Sequence, residues 1–253
     1  VDVLAKLLRP DTILVSIMAV NNEIGSVQPI KAISKLLADK ASISFHVDAV
    51  QAIGKIATDD YLTDRVDFAT FSGHKFHSVR GVGFIYKKAG KKISPLLNGG
   101  GQEAGFRSTT ENVAGIAATA KALRIVLDKA KIGQKQLLAM KRILFDSLSH
   151  YDDVILFSEM EYFAPNILTF GIKGVRGEVL VHAFEEHDIY ISTTSACSSK
   201  AGKPAGTLIS MGISSKLAQT AVRLSLDEDN DMSQVEQFLT IFKQIYEKTK
   251  KVR

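Results

Sequence analysis

The residues of this chain with the widest chemical reach fall in three clusters and one loop. Asn21, Asn22 and Glu23 follow the apolar run TILVSIMAV (Thr12 to Val20). Asp48 stands near the end of ISFHVDAV, with Gln51 shortly after it. Ser72, His74 and Lys75 come directly after VDFATF. The loop is ISTTSACSSKAGKPAG, from Ile191 to Gly206, and it holds Cys197, the only cysteine in the chain. A free cysteine ordinarily behaves as a small hydrophobe and sits in a core. Cys197 lies instead among serines, threonines, glycines, lysines and a proline, which is the composition of an exposed loop.

Taken singly, these residues are unspecific. An aspartate at a strand end serves equally well as a helix cap, and a loop lysine as a solvated charge. Together they suit one kind of chemistry. A lysine can form a Schiff base with an aldehyde cofactor. A buried carboxylate can keep a pyridinium nitrogen protonated, and hydroxyl and imidazole donors beside the lysine suit a phosphate group. In an open α/β sheet, ligands bind beyond the carboxyl ends of the strands, where all three clusters are expected.

The elements that must position them are legible as changes of period. TILVSIMAV is apolar and rich in β-branched residues, as a buried parallel strand requires. Pro29 opens PIKAISKLLADK, whose Ile30, Ile33, Leu36 and Leu37 share one helical face. ISFHVDAV, VDFATFS and GVGFIYKK read as the second, third and fourth strands. The fourth follows the third too closely for a crossover helix, so antiparallel pairing is open to it. From about Asn112, two helices, ENVAGIAATAKALRIVLDKA and QKQLLAMKRILFDSLSH, are separated by KIG.

Short strands VILF, NILTFGI, YIST and VRLSL then alternate with helices GEVLVHAFEEH and SSKLAQTA. A last helix is expected to start at Ser233, with Ser233 and Glu236 as its capping box. The pattern predicts an α/β domain with a mainly parallel sheet over residues 1–130 and a smaller α+β domain over 131–253.

Composition narrows the function classes. Apolar residues make up 45% of the 253, charged residues 23%, and the net charge of +5 is spread along the chain. The basic stretches KKAGKK and KTKKVR carry no interleaved aromatics, which argues against direct nucleic-acid binding. No apolar run approaches the roughly 20 residues needed to span a bilayer. No metal-ligand spacing is present. A single cysteine forms no internal disulfide, so a reducing, cytoplasmic setting is expected. The opening VDVLAKLLRPDT shows neither the basic region nor the cleavage site of a signal peptide, and it has no initiator Met.

The segments NNEIG, HVDAVQAIGKI, SGHKFHSVRGVGFIY, GGGQEAGFRSTTENVAG, STTSACSSKAG and AVRLSL together resemble the cysteine desulfurases of the NifS/IscS-like group. These are pyridoxal-phosphate enzymes of the class V aminotransferase superfamily, of fold type I. The resemblance runs in order through essentially the whole chain, and it leaves the N-terminal part of the family without a counterpart. It implies the C-terminal part of the cofactor-binding large domain over 1–130 and a small domain carrying the cysteine loop over 131–253.

The same resemblance implies a role for each matched residue. Lys75 would carry pyridoxal 5'-phosphate and shuttle protons. Asp48 would pair with the pyridine nitrogen and Gln51 would bond the phenolic oxygen. Ser72 and His74 would hold the phosphate, and Thr110 would reach a phosphate across a homodimer interface. Asn21 and Arg223 would grip the carboxylate of L-cysteine, with Asn21 also among the cofactor contacts. Cys197 would take the sulfur as a persulfide, leaving L-alanine, and deliver it to an acceptor protein, an iron–sulfur scaffold or a tRNA-thiolating enzyme.

Some positions depart from the family pattern: Ala104 stands where Arg is common, Thr109 where Gly is, Ser78-Val79 where Gly-Pro is, and Asp227 where Gly is. Without the N-terminal part, the chain alone is expected to be a poor or inactive desulfurase. The alternatives are a related pyridoxal-phosphate enzyme such as a selenocysteine lyase, or a non-catalytic fragment that dimerises or docks a partner. The Ser-x-Cys loop argues against a class V transaminase, which needs no nucleophilic thiol.

Overall fold

In the computed structural model, which describes residues 1–194 and 206–252, the chain divides into two units. One is Val1–Ala19 with Gln28–Ala130; the other is Val20–Val27 with Lys131–Arg253.

The first unit runs α1 (Asp2–Leu7), β1 (Leu14–Met18), α2 (Ile30–Leu36), β2 (Ser44–Asp48), α3 (Thr58–Tyr61), β3 (Phe68–Ser72), β4 (Gly83–Lys87) and the first part of α4 (Val113–Ser149). Its sheet has the order β1-β2-β3-β4, parallel from β1 to β3. β4 pairs antiparallel with β3, as the short connection between them requires. The strands alternate more than their apolar composition suggests. Phe45 and Val47 of β2 and Ala69 and Phe71 of β3 are buried on one face. His46, Asp48, Thr70 and Ser72 stand half-buried on the other. In β1 only Val15 is buried, so the strand expected to be buried throughout is covered on one face alone.

The amino ends of β2 and β3 are locked by one buried carboxylate. Asp67 is 2% exposed and accepts hydrogen bonds from the Phe45 amide and the Arg65 guanidinium, each at 2.9 Å, and pairs with Lys91 at 3.1 Å. Arg65 also donates to the carbonyls of Leu37, Lys40 and Ile43. At the opposite edge the ladder continues past the strands, with Ala19 N–H donating to Asp48 O and Ala49 N–H to Thr70 O. One edge of the sheet is braced, and the other stays ordered up to the residues expected to do chemistry.

The second unit holds the rest of α4, then β5 (Val154–Leu156), β6 (Ile167–Ile172), α5 (Gly177–Glu185), β7 (Ser192–Thr193), α6 (Gly206–Ser210), α7 (Ser215–Ala218), β8 (Val222–Ser225) and α8 (Met232–Val252). Its sheet is antiparallel throughout, in the order β5-β6-β8-β7. Leu137, Met140, Leu144 and Leu148 recur at helical spacing on α4 and bury one stripe. They share a core with Phe170 of β6, Phe184 of α5, and Phe238 and Phe242 of α8. The rings of Phe184 and Phe238 stack at 5.0 Å. Each such side chain contributes about 1.5–3 kcal/mol on burial.

Two local expectations are corrected. KIG does not split the helix: α4 is continuous over its 37 residues. A lone glycine costs a helix only about 1 kcal/mol, and a Cβ on Gly133 would lie 3.2 Å from that of Glu228. The capping box of α8 lies two residues before the expected one. Asp231 Oδ1 accepts from Gln234 N–H at 3.0 Å, and Gln234 Oε1 accepts from Asp231 N–H at 3.1 Å. Ser233 donates to the same Asp231 oxygen instead of capping. Bonds from Ser233 and Gln234 hold the Asp231 carboxyl below its ordinary pKa.

The short segment Val20–Val27 lies with the second unit because that unit holds its backbone. Thr169 Oγ1 donates to Glu23 O, Ser158 Oγ to Ile24 O, Ala164 N–H to Gly25 O, and Arg223 to Asn22 O. Gly25, at φ 82°, also packs where a Cβ would meet Ile167 at 2.8 Å.

Lys141 supports the same region from α4. It is fully buried, donates from Nζ to Ala164 O at 2.9 Å, and stands 5.6 Å from the centroid of Phe163. Burial pulls its pKa down from 10.5 to about 8. Between those values the unfolded chain binds the proton more fully than the folded one, so stability rises with pH. From pH 7.5 to 9.5 the gain from this residue is about 2 kcal/mol, and Lys141→Met is expected to remove it. Urea midpoints of both proteins at the two pH values measure the difference; equal pH slopes would refute the assignment. Among the described residues, no helix is long and apolar enough to cross a membrane.

Candidate active site

In the first unit, Asp48 ends β2 and Ser72 ends β3, and these strands are parallel neighbours with Asp48 opposite Thr70. The two residues therefore share the carboxyl edge of the sheet. Gln51 lies in the turn that follows β2. His74 and Lys75 sit on the 3₁₀ turn Gly73–Phe76 that leaves β3.

That turn is held tightly. Gly73 N–H donates to Val82 O, and Ser78 N–H returns to Gly73 O. A Cβ on Gly73 would lie 2.9 Å from Val82 O and 3.1 Å from the hydroxyl of Thr119. Thr119 itself is bonded to Ser78 at 2.8 Å and to Gly115 O at 2.8 Å. The turn closes at His77, whose φ of 67° is left-handed. Ser78, a departure from the family pattern, thus has a structural role here.

Among the described residues, the polar groups at this edge keep bonding capacity for a ligand. One oxygen of Asp48 accepts from Val50 N–H at 3.0 Å, which leaves Oδ2 without a hydrogen bond among the described residues. The side chains of Gln51, Ser72, His74 and Lys75 likewise make no hydrogen bond or ion pair among them. A carboxylate, an amide, a hydroxyl, an imidazole and an amine on one sheet edge match, group for group, the pyridinium, phenolic oxygen, phosphate and aldehyde of pyridoxal phosphate.

His46 is a neighbour that the sequence reading did not single out. It lies two residues before Asp48 on the same face of β2, and the only sequence signal is that spacing. Its Nδ1 is 2.7 Å from Ser16 Oγ and its Nε2 is 3.1 Å from Thr70 Oγ1, so one row of bonds ties β1, β2 and β3. Burial lowers its pKa, against the pull of the Asp48 charge. A neutral ring, donating from one nitrogen and accepting at the other, suits this position.

Thr110 is exposed and lies between the 3₁₀ turn Glu103–Gly105 and α4, away in sequence from the strand-end cluster. Its neighbour Thr109 has φ 147°, a region that favours glycine, and Arg107 donates to its hydroxyl. Thr109 carries a backbone strain of about 1–3 kcal/mol that a glycine at this position would avoid. Ala104, another departure, also has positive φ, at 54°.

The second unit holds the other predicted residues. Asn21 is buried; its Oδ1 accepts from the amides of Glu23 and Ile24, and its Nδ2 donates to Thr207 Oγ1 at 3.2 Å. Arg223 spreads its fork over Asn22 O at 2.6 Å, Ser192 Oγ at 3.1 Å and Ser225 Oγ at 3.0 Å. Both side chains expected to grip a substrate carboxylate are thus engaged with the protein. Cys197 lies outside the described residues. Glu23, Ser192 and Thr207 enter this network with no sequence signal beyond the position of Glu23 in NNEIG.

The aminotransferase class-V family model matches residues 1–238. A protein of Lactobacillus delbrueckii subsp. bulgaricus described as a NifS/IcsS protein homolog is 50% identical over 246 residues, which are 97% of this chain and 64% of that protein. The cysteine desulfurase IscS of Clostridium botulinum is 37% identical over 93% of this chain and 59% of its own length. A solved NifS-like protein superposes with a TM-score of 0.88 at 36% identity, over 97% of this chain and 64% of that one. The fold is therefore the expected pyridoxal-phosphate-dependent transferase fold of type I, and the chain spans less than two thirds of the length of these relatives. By the match along nearly all its length, the chain belongs to the aminotransferase class-V family.

Proposed function

We propose that this chain carries the machinery of a pyridoxal-phosphate-dependent cysteine desulfurase, which moves the sulfur of L-cysteine onto Cys197 and releases L-alanine. The observation that carries the reading is a set of polar groups on one sheet edge, Asp48 Oδ2, Gln51, Ser72, His74 and Lys75, that make no hydrogen bond among the described residues, in a chain whose only cysteine stands in a polar stretch of sequence. Relatives described as cysteine desulfurases support it.

In this reading Asp48 holds the pyridinium proton, Gln51 bonds the phenolic oxygen, and Ser72 and His74 bind the phosphate. Thr110 completes the phosphate site of a second copy in a homodimer. Bound there, the cofactor supplies an electron sink. Lys75 anchors it and moves protons at the substrate carbon. Arg223 and Asn21 orient the substrate carboxylate, which requires each to give up or share a present bond. The thiolate of Cys197 attacks the substrate sulfur. The C–S bond breaks, an S–S bond forms on Cys197, and the carbon keeps the electron pair and gains a proton. The persulfide then passes to an acceptor protein in the cytoplasm, an iron–sulfur scaffold or a tRNA-thiolating enzyme.

A single-turnover assay suits a chain shorter than its relatives. With pyridoxal phosphate and ³⁵S-labelled L-cysteine, label is expected on Cys197, matched by L-alanine and removed by a thiol reductant. Cys197→Ala and Lys75→Ala are each expected to give none. Alanine formed equally by Cys197→Ala, or a cofactor-loaded chain that never takes label, would refute the reading. Multiple turnover is expected to be slow beside a full-length relative.

A further inference from the structure

The NNE sequence bonds directly to Thr207, just after the segment that bears Cys197, and through Arg223 to Ser192, just before it. At the trailing end, Thr207 in the first turn of α6 donates its amide to Glu23 Oε2 at 3.1 Å, while its hydroxyl accepts from Asn21 at 3.2 Å. The next residue, Leu208, is fully buried in one apolar cluster with Ile24, Phe157, Ala218 and Ala221. At the leading end, Ser192 pairs with Arg223 across β7 and β8, and its hydroxyl accepts from the same guanidinium that holds Asn22 O. Thr194, the last described residue before the segment, is buried. The backbone of residues 22–25 is itself fixed by Arg223, Thr169, Ser158 and Ala164.

Glu23 is the charged member of this arrangement, and no charged partner faces it in the ion pairs among the described residues. Among the described residues, its carboxylate reaches across the sequence to one backbone amide, that of Thr207. We propose that Glu23 is a positioning residue for sulfur transfer: it holds Thr207 and so fixes the point from which the chain runs back to Cys197. The inference rests on the desulfurase reading of Cys197. It gives NNEIG a function apart from substrate binding, because a nucleophile that reaches a substrate and returns needs fixed attachment points on either side.

The test uses the full chain and needs neither cofactor nor substrate. Because Cys197 is the only cysteine, the rate of iodoacetamide alkylation reports on it alone. Glu23→Ala is expected to raise that rate by about threefold or more, because Thr207 then loses a bond that fixes its backbone and the start of α6 opens locally more often. Glu23→Gln keeps an oxygen that accepts the Thr207 amide, and its rate is expected to stay near that of the native chain. If the two variants accelerate equally, Glu23 acts through its charge on the thiol and the proposal fails; it fails also if neither does.

Hydrogen exchange separates anchoring from general stability. In Glu23→Ala, faster exchange confined to residues 206–213 supports the proposal. Equal acceleration in β6 would show that Glu23 merely stabilises the unit, and would overturn it. Loss of ³⁵S transfer in the native chain with this alkylation pattern intact would count against the desulfurase reading and leave the anchor standing.

Discussion

Incubation with pyridoxal phosphate followed by sodium borohydride is expected to fix the cofactor on Lys75, and Lys75→Ala is expected to abolish that labelling. The chain is rich in exposed lysines, and any of them reacts transiently with an aldehyde. Selectivity must come from the neighbours. Lys75 stands on a turn whose glycine has no room for a Cβ, beside His74 and Ser72 and at the same sheet edge as Asp48. Phosphate and pyridinium contacts there would hold the aldehyde in place long enough to dominate the product. Asp48→Ala removes one charge-assisted bond, of about 1.5–3 kcal/mol. It should weaken binding by about one to two powers of ten without moving the label. Peptide mapping by mass spectrometry reads the result. Label spread evenly over exposed lysines in the native chain, or unchanged in Lys75→Ala, would sink the assignment.

The first unit was legible because its strands are separated by clear punctuation. Pro29 opens α2, and the short link after β3 leads to an antiparallel β4. The placement of Asp48, Ser72 and Lys75 followed from one rule, that strands carry chemistry at their carboxyl ends. What the sequence hid was decided by tertiary contacts. Gly133 looked like a helix break, yet Glu228 packs against it and α4 runs through. Ser233 and Glu236 had the right types for a capping box, but Asp231 and Gln234 offered a second box two residues earlier and make both bonds. The family resemblance implies ligand-binding roles for Asn21 and Arg223, and the structure shows both working as internal braces. No periodicity announces a brace between residues nearly two hundred positions apart. The same holds for Glu23 and Thr207, whose bond joins two unrelated stretches of sequence.

Arg65→Ala is expected to cost the first unit about 3–5 kcal/mol, the loss typical of breaking a buried ion pair from one side. Asp67 is the reason. Burial alone would push its carboxyl pKa up, but the Phe45 amide, Lys91 and Arg65 together hold it below the ordinary value. Removing Arg65 takes away a bond at 2.9 Å and strips a donor from the carbonyls of Leu37, Lys40 and Ile43. Arg65→Lys should recover only part of the loss, because an ammonium cannot reproduce the planar fork that serves four acceptors. The sign of the pH dependence follows from the lowered pKa. Asp67 contributes stability above its unfolded pKa, and that contribution disappears as pH falls through the folded value. In Arg65→Ala the folded value rises, so acid unfolding should begin at higher pH than in the native chain. The chain has no tryptophan, so helical circular dichroism in urea and in acid is the suitable probe. A loss below about 1 kcal/mol would place Arg65 among surface ion pairs, at odds with its bonds. Because this lock sits at the amino edge of the sheet, the folded fraction of Arg65→Ala should still be labelled on Lys75, which separates what holds the sheet together from what the sheet presents.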